Sequence, residues 1–225
     1  MRKTITSERV AACDQLPGHG KAENEMETGR AMRAMLLIVL ICAVPVTGIA
    51  QTPVALDLND KLHFHAARAF GPTAIAMSGV KAGYNQLTDS PAEWGQGGNG
   101  YRKRLGSSVA TSGIRNVLAF SLDSTLHQDP RYFRSVSTGF WRRTGRALRG
   151  TILTYTDSGG ETLSTWRLGS AYGTALISNQ WYPDRYHSVR RAMADGSIRL
   201  GFDFANNMAA EFWPDFKRKI LRRKP

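Results

Sequence analysis

The sequence predicts a mainly α-helical fold, a compact bundle of helices rich in small residues that follows a cleaved leader. Apolar residues recur at three- and four-residue spacings through residues 101–126, the period of an amphipathic helix. Proline and glycine stand where helices begin and end, as at Gly71-Pro72. Glycine and alanine also recur inside the helical stretches, which favours closely packed helices.

The first half of the chain contains three predicted helices. Asn59–Phe70 is the first, and Pro72–Gln86 is the second, with its proline in the first turn where the missing N–H is not needed. A glycine-rich loop over Thr88–Gly100 separates them from a long third helix, Tyr101–Leu126. That helix is expected to end before Asp129-Pro130, because a residue before proline disfavours helical backbone.

The second half contains three more helical segments. Trp213-Pro214 is expected to end the last of them, because proline removes a backbone hydrogen bond from a helix interior. Residues 217–225 are expected to form a basic tail. The predicted elements are the helix Phe140–Thr154, a turn at Asp157–Gly160, the helix Trp166–Gln180 and the helix Ser188–Phe212.

Glycines inside these helices indicate close packing. Each costs about 1 kcal/mol relative to alanine in a helix interior. Their repeated use therefore predicts positions where neighbouring backbones approach each other. The positions are Gly106, Ala110, Gly113, Gly145, Gly150, Gly169, Gly173, Gly196 and Gly201.

A small β-barrel is the alternative fold. Apolar residues alternate strictly over Ile198–Phe204, and Arg149–Asp157 places β-branched residues before a turn. Only two segments have such a pattern, fewer than an outer-membrane barrel requires, so the helical fold is preferred. No segment after residue 51 reaches the roughly 18 uncharged apolar residues typical of a membrane-spanning helix.

Residues 32–50 have the pattern of a secretory signal peptide. Arg33 precedes an apolar core at Met35–Val44, and Gly48-Ile49-Ala50 supplies small residues for cleavage before Gln51. The polar block ahead of it suits no leader, so translation is expected to start at Met32 or at Met26. We therefore expect an exported protein of the periplasm or cell envelope, and the outer membrane is one candidate location. Its segments are a non-native extension 1–31, a signal peptide 32–50, a helical domain 51–216 and a basic tail 217–225.

The chain is strongly basic, with 30 Lys and Arg against 18 Asp and Glu and a formal net charge of +12. Cleavage would remove Cys13 and Cys42, which excludes disulfides and a cysteine nucleophile from the exported domain. Arginine pairs with phosphate and carboxylate, so the predicted partner is anionic lipid or an envelope polyanion, not a specific nucleic acid. His63 and His65 do not share a helix face, and neither a metal nor another cofactor is predicted.

One predicted helix carries the candidate anion- or lipid-binding residues. Phe140–Thr154 places Trp141, Leu148 and Ile152 on one side and arginines on another. An amphipathic basic helix of this kind can lie on an anionic surface. The candidate arginines are Arg142, Arg143, Arg146 and Arg149.

The segment His127–Phe133 is a candidate catalytic site. His127, Asp129 and Arg131 lie within five residues, which suits a general acid/base pair with an anion clamp, as in a small hydrolase or transferase. The preferred interpretation is structural, with Asp129 turning the chain and Arg131 pairing with it.

Four fragments of the sequence are distinctive: GYRKRLG (Gly100–Gly106), LHQDPRYF (Leu126–Phe133), SNQWYP (Ser178–Pro183) and EFWPDFKRKI (Glu211–Ile220). They resemble motifs of a family of uncharacterised exported bacterial proteins. The resemblance covers roughly residues 94–220 and implies an exported domain of its own kind, with no particular activity. Together with the leader and the charge, it leads to the expectation of an envelope-associated protein without enzymatic activity.

Overall fold

The computed structural model describes residues 55–221, except 136 and 138. The extension, the signal peptide, both cysteines and the end of the tail lie outside the described residues, so those interpretations stay predictions. The described part of the chain forms six α-helices and one two-stranded sheet. Of the two folds considered from the sequence, the mainly helical bundle is confirmed.

Both strands lie between the fourth and the fifth α-helix of the described chain. The two strands pair antiparallel, with Thr154 opposite Thr162, and Gly159 in the intervening turn has a positive φ of 89°. Short 3-10 helices cover Ala92–Trp94, Asn179–Trp181 and Asp184–Tyr186. The main elements are α1 (Leu58–Phe70), α2 (Pro72–Leu87), α3 (Gly97–Thr125), α4 (Phe140–Ile152), β1 (Leu153–Tyr155), β2 (Glu161–Leu163), α5 (Thr165–Ser178) and α6 (Val189–Leu221).

Helices α3 and α5 form the centre of the bundle. Helix α3 packs against α1, α2 and α5, while α5 also packs against α6. Helix α4 packs on α6 and leads directly into β1. The chain leaving α3 runs beside β1, where Gln128 pairs with Thr156 in an antiparallel bridge. This route places residues 128–133 next to α4.

Most predicted helix positions agree with the structure, but several helix ends differ. Helix α3 begins at Gly97, inside the predicted loop, and α4 ends at Ile152, where β1 begins. The residues Ile198–Phe204 lie within α6, as the helix prediction Ser188–Phe212 places them, so the alternative interpretation as a strand is wrong.

The predicted end of the last helix before Pro214 is also wrong, because α6 continues through it to Leu221. Proline removes one intrahelical hydrogen bond, but contacts with α4 hold the turns on both sides of it. Arg143 forms ion pairs with Glu211 and with Asp215, and the Phe140 ring lies 5.3 Å from the Phe212 ring. These contacts outweigh the local preference to stop.

The glycines mark close approaches at some of the predicted positions. A Cβ at Gly150 would lie 2.6 Å from the Tyr132 ring, and one at Gly196 would lie 2.2 Å from the Tyr172 ring. The groups that approach are side chains of neighbouring elements rather than backbones, which corrects the prediction. Gly106, Gly145 and Gly201 have no such neighbour within 4 Å.

The bundle interior is small and polar, whereas many large apolar side chains are exposed. On α3 the buried positions include Arg104, Ser107, Thr111 and Asp123, while Val117 is 63% exposed. The apolar residues whose spacing predicts α3 therefore do not fill its buried face. Within residues 55–221, none of the helices combines the length and the apolar character that crossing a membrane requires. The buried hydrophobic residues are Ala69, Ala82, Ala119, Ala147, Trp166, Ala171, Ala175, Tyr186 and Ala192.

Candidate functional site

Asp129 and Arg131 form an ion pair in the segment after α3. The buried Asp129 carboxylate accepts hydrogen bonds from the Arg131 backbone N (2.9 Å) and from its Nε (3.0 Å). The Asp129 backbone is fixed as well, since its N–H donates to the backbone carbonyl of Tyr155 and its own carbonyl accepts from the Thr154 hydroxyl. The hydrogen bond to Asp129 raises the pKa of Arg131. This pair holds the chain against β1.

His127 stands apart from that pair. It is exposed, its backbone has a positive φ of 52°, and its carbonyl accepts from the Asp157 N–H. No hydrogen bond joins the described His127 to Asp129 or Arg131. The structure thus brings together two of the three candidate catalytic residues and leaves His127 without a hydrogen bond to the carboxylate that would orient it.

A buried carboxylate joins the HQDPRYF fragment to the EFWPD fragment. Glu211 of α6 is fully buried and accepts from the Tyr132 hydroxyl (2.7 Å), the Ser135 N–H (2.6 Å) and Arg143 Nε (3.3 Å). Burial and the hydrogen bond to Glu211 raise the pKa of Tyr132, so its phenol stays neutral and donates. The sequence alone does not indicate this contact, although Tyr132 lies in the fragment LHQDPRYF and Glu211 in the fragment EFWPDFKRKI.

The four arginines of α4 do not share one environment. Arg143 turns inward to Glu211 and Asp215 of α6, and its guanidinium lies 4.3 Å from the centre of the Phe212 ring. The hydrogen bond from Arg143 lowers the pKa of Asp215. Arg143 therefore fixes α4 to α6 and is not available to a partner.

The other three arginines of α4 face outward or line a cavity. Arg142 is exposed, and no ion pair joins it to the carboxylates of the described chain. Arg149 is more than half exposed and pairs with Glu161 of β2. Arg146 is half-buried and donates from Nη2 to the Tyr155 hydroxyl over 2.8 Å. These three side chains keep the predicted basic character of the helix.

The apolar side of α4 faces outward. Trp141 is 81% exposed, Leu148 51% and Ile152 46%. Positions 141, 148 and 152 fall in line along a helix, so these residues form a stripe about 16 Å long. The buried side of α4 is formed by Ala147 and Thr151. We call Trp141, Leu148 and Ile152 the α4 stripe.

A cavity of about 20 Å³, open to solvent, lies between α4, β1 and residues 131–133. Its polar lining residues are Arg131, Tyr132, Arg146, Arg149, Thr154, Tyr155 and Glu161. We call it the α4 cavity. Tyr155 and Glu161 lie in short strands that the sequence did not predict as separate elements, which is why neither was a candidate.

A second polar cluster is buried inside the bundle. His65 Nε2 lies 2.6 Å from the Asp123 carboxylate, and its Nδ1 lies 3.3 Å from Asn116 Oδ1. Nearby, Lys61 forms an ion pair with Asp157 at 2.7 Å. Within residues 55–221 no three histidine, cysteine or acidic side chains are placed to hold a metal ion.

The α4 stripe, the α4 cavity and the side chains of Arg142, Arg146 and Arg149 together present apolar, cationic and hydrogen-bonding groups that a partner could contact. The predicted relationship to exported bacterial proteins is a matter of short motifs, and it stays a prediction. Comparison of the chain with protein-family models, with curated proteins and with solved structures found no match.

Proposed function

We propose that this protein is an exported, non-enzymatic component of the cell envelope that binds anionic lipid surfaces through α4. The observation that carries the proposal is the outward-facing α4 stripe beside exposed arginines. The α4 stripe presents apolar surface to solvent, and Arg142 and Arg149 lie on the adjacent side of the same helix. Such a helix lies at a membrane interface, with its apolar residues among acyl chains and its arginines at phosphates.

Charge supports an anionic partner. Without the leader and extension, which contain six basic and five acidic residues, the remaining chain still carries a net charge of about +11. On an anionic bilayer each basic residue near the surface contributes about 1 kcal/mol, an effect that salt weakens. The apolar stripe adds a contribution that does not depend on salt.

Vesicle flotation tests the proposal. The protein is mixed with phosphatidylcholine vesicles or with vesicles that also contain phosphatidylglycerol, at low and at high salt. We expect preferential binding to the anionic vesicles that weakens as salt rises. Equal binding to both vesicles, or binding to neither, would contradict the proposal.

A double substitution separates the stripe from general electrostatic attraction. Trp141→Ser with Leu148→Ser removes most of the exposed apolar surface of α4 and keeps every charge. Burial of one such side chain contributes about 1.5–3 kcal/mol, so binding to anionic vesicles is expected to fall at least about tenfold. Leu87→Ser is the control, since Leu87 is also exposed, at the end of α2, and its loss is expected to leave binding unchanged.

A further inference from the structure

The α4 cavity has the charge of an anion site. Arg131 is neutralised by Asp129, and Arg149 by Glu161. Arg146 has a neutral partner, the Tyr155 hydroxyl, and no ion pair joins it to a carboxylate of the described chain. The cavity therefore keeps at least one positive charge that the protein itself does not balance.

A second cation lies behind the cavity wall. Arg167 of α5 is 5% exposed and donates from Nη1 to the carbonyl of Gly150, a residue that lines the cavity. Its guanidinium stacks 4.6 Å from the centre of the Trp166 ring, and no carboxylate of the described residues pairs with it directly. A buried cation without a paired carboxylate adds to the positive potential in the cavity.

Hydrogen-bond donors are available in the same place. A guanidinium has five N–H donors, and Arg146 uses one of them on Tyr155. The Tyr155 oxygen accepts that bond, which leaves its own O–H to donate. An arginine fork beside a hydroxyl donor is the arrangement that suits a phosphate with several terminal oxygens.

We propose that the α4 cavity binds a phosphate monoester on the headgroup of an envelope lipid. This inference rests on the proposed lipid-binding function and names the chemical group that the same surface recognises. The cavity is open to solvent, so a phosphate group approaches Arg146 and Tyr155 from outside, while the α4 stripe lies next to Arg149 on the same helix for the acyl chains. A monoester has a second charge and a third terminal oxygen that a phosphodiester lacks, and Arg146 and Tyr155 supply the matching donors.

The test compares a monoester with a diester lipid. Binding of the full exported chain is measured to phosphatidylcholine vesicles containing phosphatidic acid or phosphatidylglycerol, adjusted to equal surface potential. We expect about tenfold tighter binding to the phosphatidic acid vesicles. Arg146→Gln is expected to abolish that preference. Arg142→Gln removes the same charge outside the cavity and is expected to weaken binding to both vesicles equally.

The two proposals fail separately. Salt-sensitive binding to both anionic vesicles with no monoester preference, or a preference that Arg146→Gln retains, overturns the cavity assignment and leaves the lipid-binding function in place. Absence of any anionic preference overturns the lipid-binding function. If the anionic preference is absent, calorimetry with inorganic phosphate tests the cavity by itself. Phosphate binding that Arg146→Gln abolishes would support a phosphate site in the α4 cavity and overturn the assignment of its ligand as a lipid headgroup.

A second variant guards against misfolding of the first. Tyr155→Phe keeps the ring under Arg146 and removes only the hydroxyl donor. We expect it to reduce the preference for phosphatidic acid severalfold, with an unchanged far-UV circular dichroism spectrum. An unchanged preference in both folded variants would overturn the proposal.

Discussion

Arg104 and Lys81 are two cations in opposite environments in this bundle, the first fully buried and the second half-buried. Arg104 has no exposed surface, and all three of its guanidinium nitrogens donate, among others to the carbonyls of Ser90 (3.1 Å) and Pro91 (2.7 Å). Each donor has an acceptor, so the charge is well compensated and orders the loop before α3. Lys81 of α2 lies instead near Arg199 of α6, and burial followed by that repulsion lowers the pKa of Lys81 to about 8.

The lowered pKa of Lys81 predicts a rise in stability at alkaline pH. Between pH 8 and 10.5 the unfolded chain binds the proton that the folded chain has released, so the free energy of unfolding increases with pH in that window. Lys81→Met is expected to remove this increase and to raise the free energy of unfolding at pH 7 by roughly 1–3 kcal/mol. Urea denaturation at several pH values measures both effects.

Lys103→Met on α3 is the control for that measurement, because Lys103 is exposed. Its stability profile is expected to follow the unmodified protein at every pH. If Lys81→Met also keeps the alkaline increase, the Lys81 side chain is not the group responsible.

At the scale of single elements, α4 has three distinct sides. Its buried side is small, with Ala147 and Thr151, and its outer side is the α4 stripe. The third side faces the α4 cavity, where Gly150 leaves room for the Tyr132 ring. Because Tyr132 is held by its hydrogen bond to Glu211, the ring has little freedom to move away from a larger side chain at position 150.

Two glycines of α4 therefore respond in opposite directions to alanine. Gly150→Ala would place a Cβ 2.6 Å from the Tyr132 ring, and we expect it to lower the free energy of unfolding by about 1–3 kcal/mol. Gly145→Ala meets no atom within 4 Å and is expected to raise it by about 0.5–1 kcal/mol through helix propensity. Thermal and urea unfolding of both variants measure the pair, and equal effects would contradict the close contact.

The sequence was sufficient to predict where most helices lie, because Gly71-Pro72 and the glycine-rich turns interrupt clear helical periods. It was not sufficient to predict what the helices bury. Spacing of Trp141, Leu148 and Ile152 gives one side of α4, but does not indicate whether that side faces the bundle or the solvent. The same holds for the candidate site. The arginines of α4 lie close together in the sequence, but Arg143 contacts α6 and Arg149 contacts β2, so the four side chains do not form one cluster in the structure. These partners lie far away in the sequence and could not be predicted from it.

At the scale of the whole molecule, the described chain buries small and polar side chains and exposes many large apolar ones. The described interior is built largely from alanine and small polar residues, and large apolar side chains remain at the surface of several helices. Less apolar area is therefore removed from water on folding than in a bundle with a leucine-rich core. A partner that covers the exposed apolar surface has correspondingly more to contribute to stability.

Anionic vesicles are therefore expected to stabilise the whole fold. If only the folded chain binds, free lipid at a hundred times its Kd adds about 2.7 kcal/mol, which raises Tm by about 5–10 °C for a domain of this size. Circular dichroism melts with phosphatidylglycerol vesicles measure the shift. Phosphatidylcholine vesicles and the Trp141→Ser, Leu148→Ser variant are the controls, and a comparable shift in either would contradict the link to α4.

The contact between Tyr132 and Glu211 also sets an order of events during synthesis. The two residues are 79 positions apart, and Lys61 and Asp157 are 96 apart. A chain that is made from its amino terminus holds the Tyr132 hydroxyl and the Ser135 N–H without their acceptor until Glu211, the 23rd of the 33 residues of α6, has left the ribosome. Folding of this domain is consequently completed late. A nascent chain that still lacks the end of α6 remains accessible to chaperones and proteases.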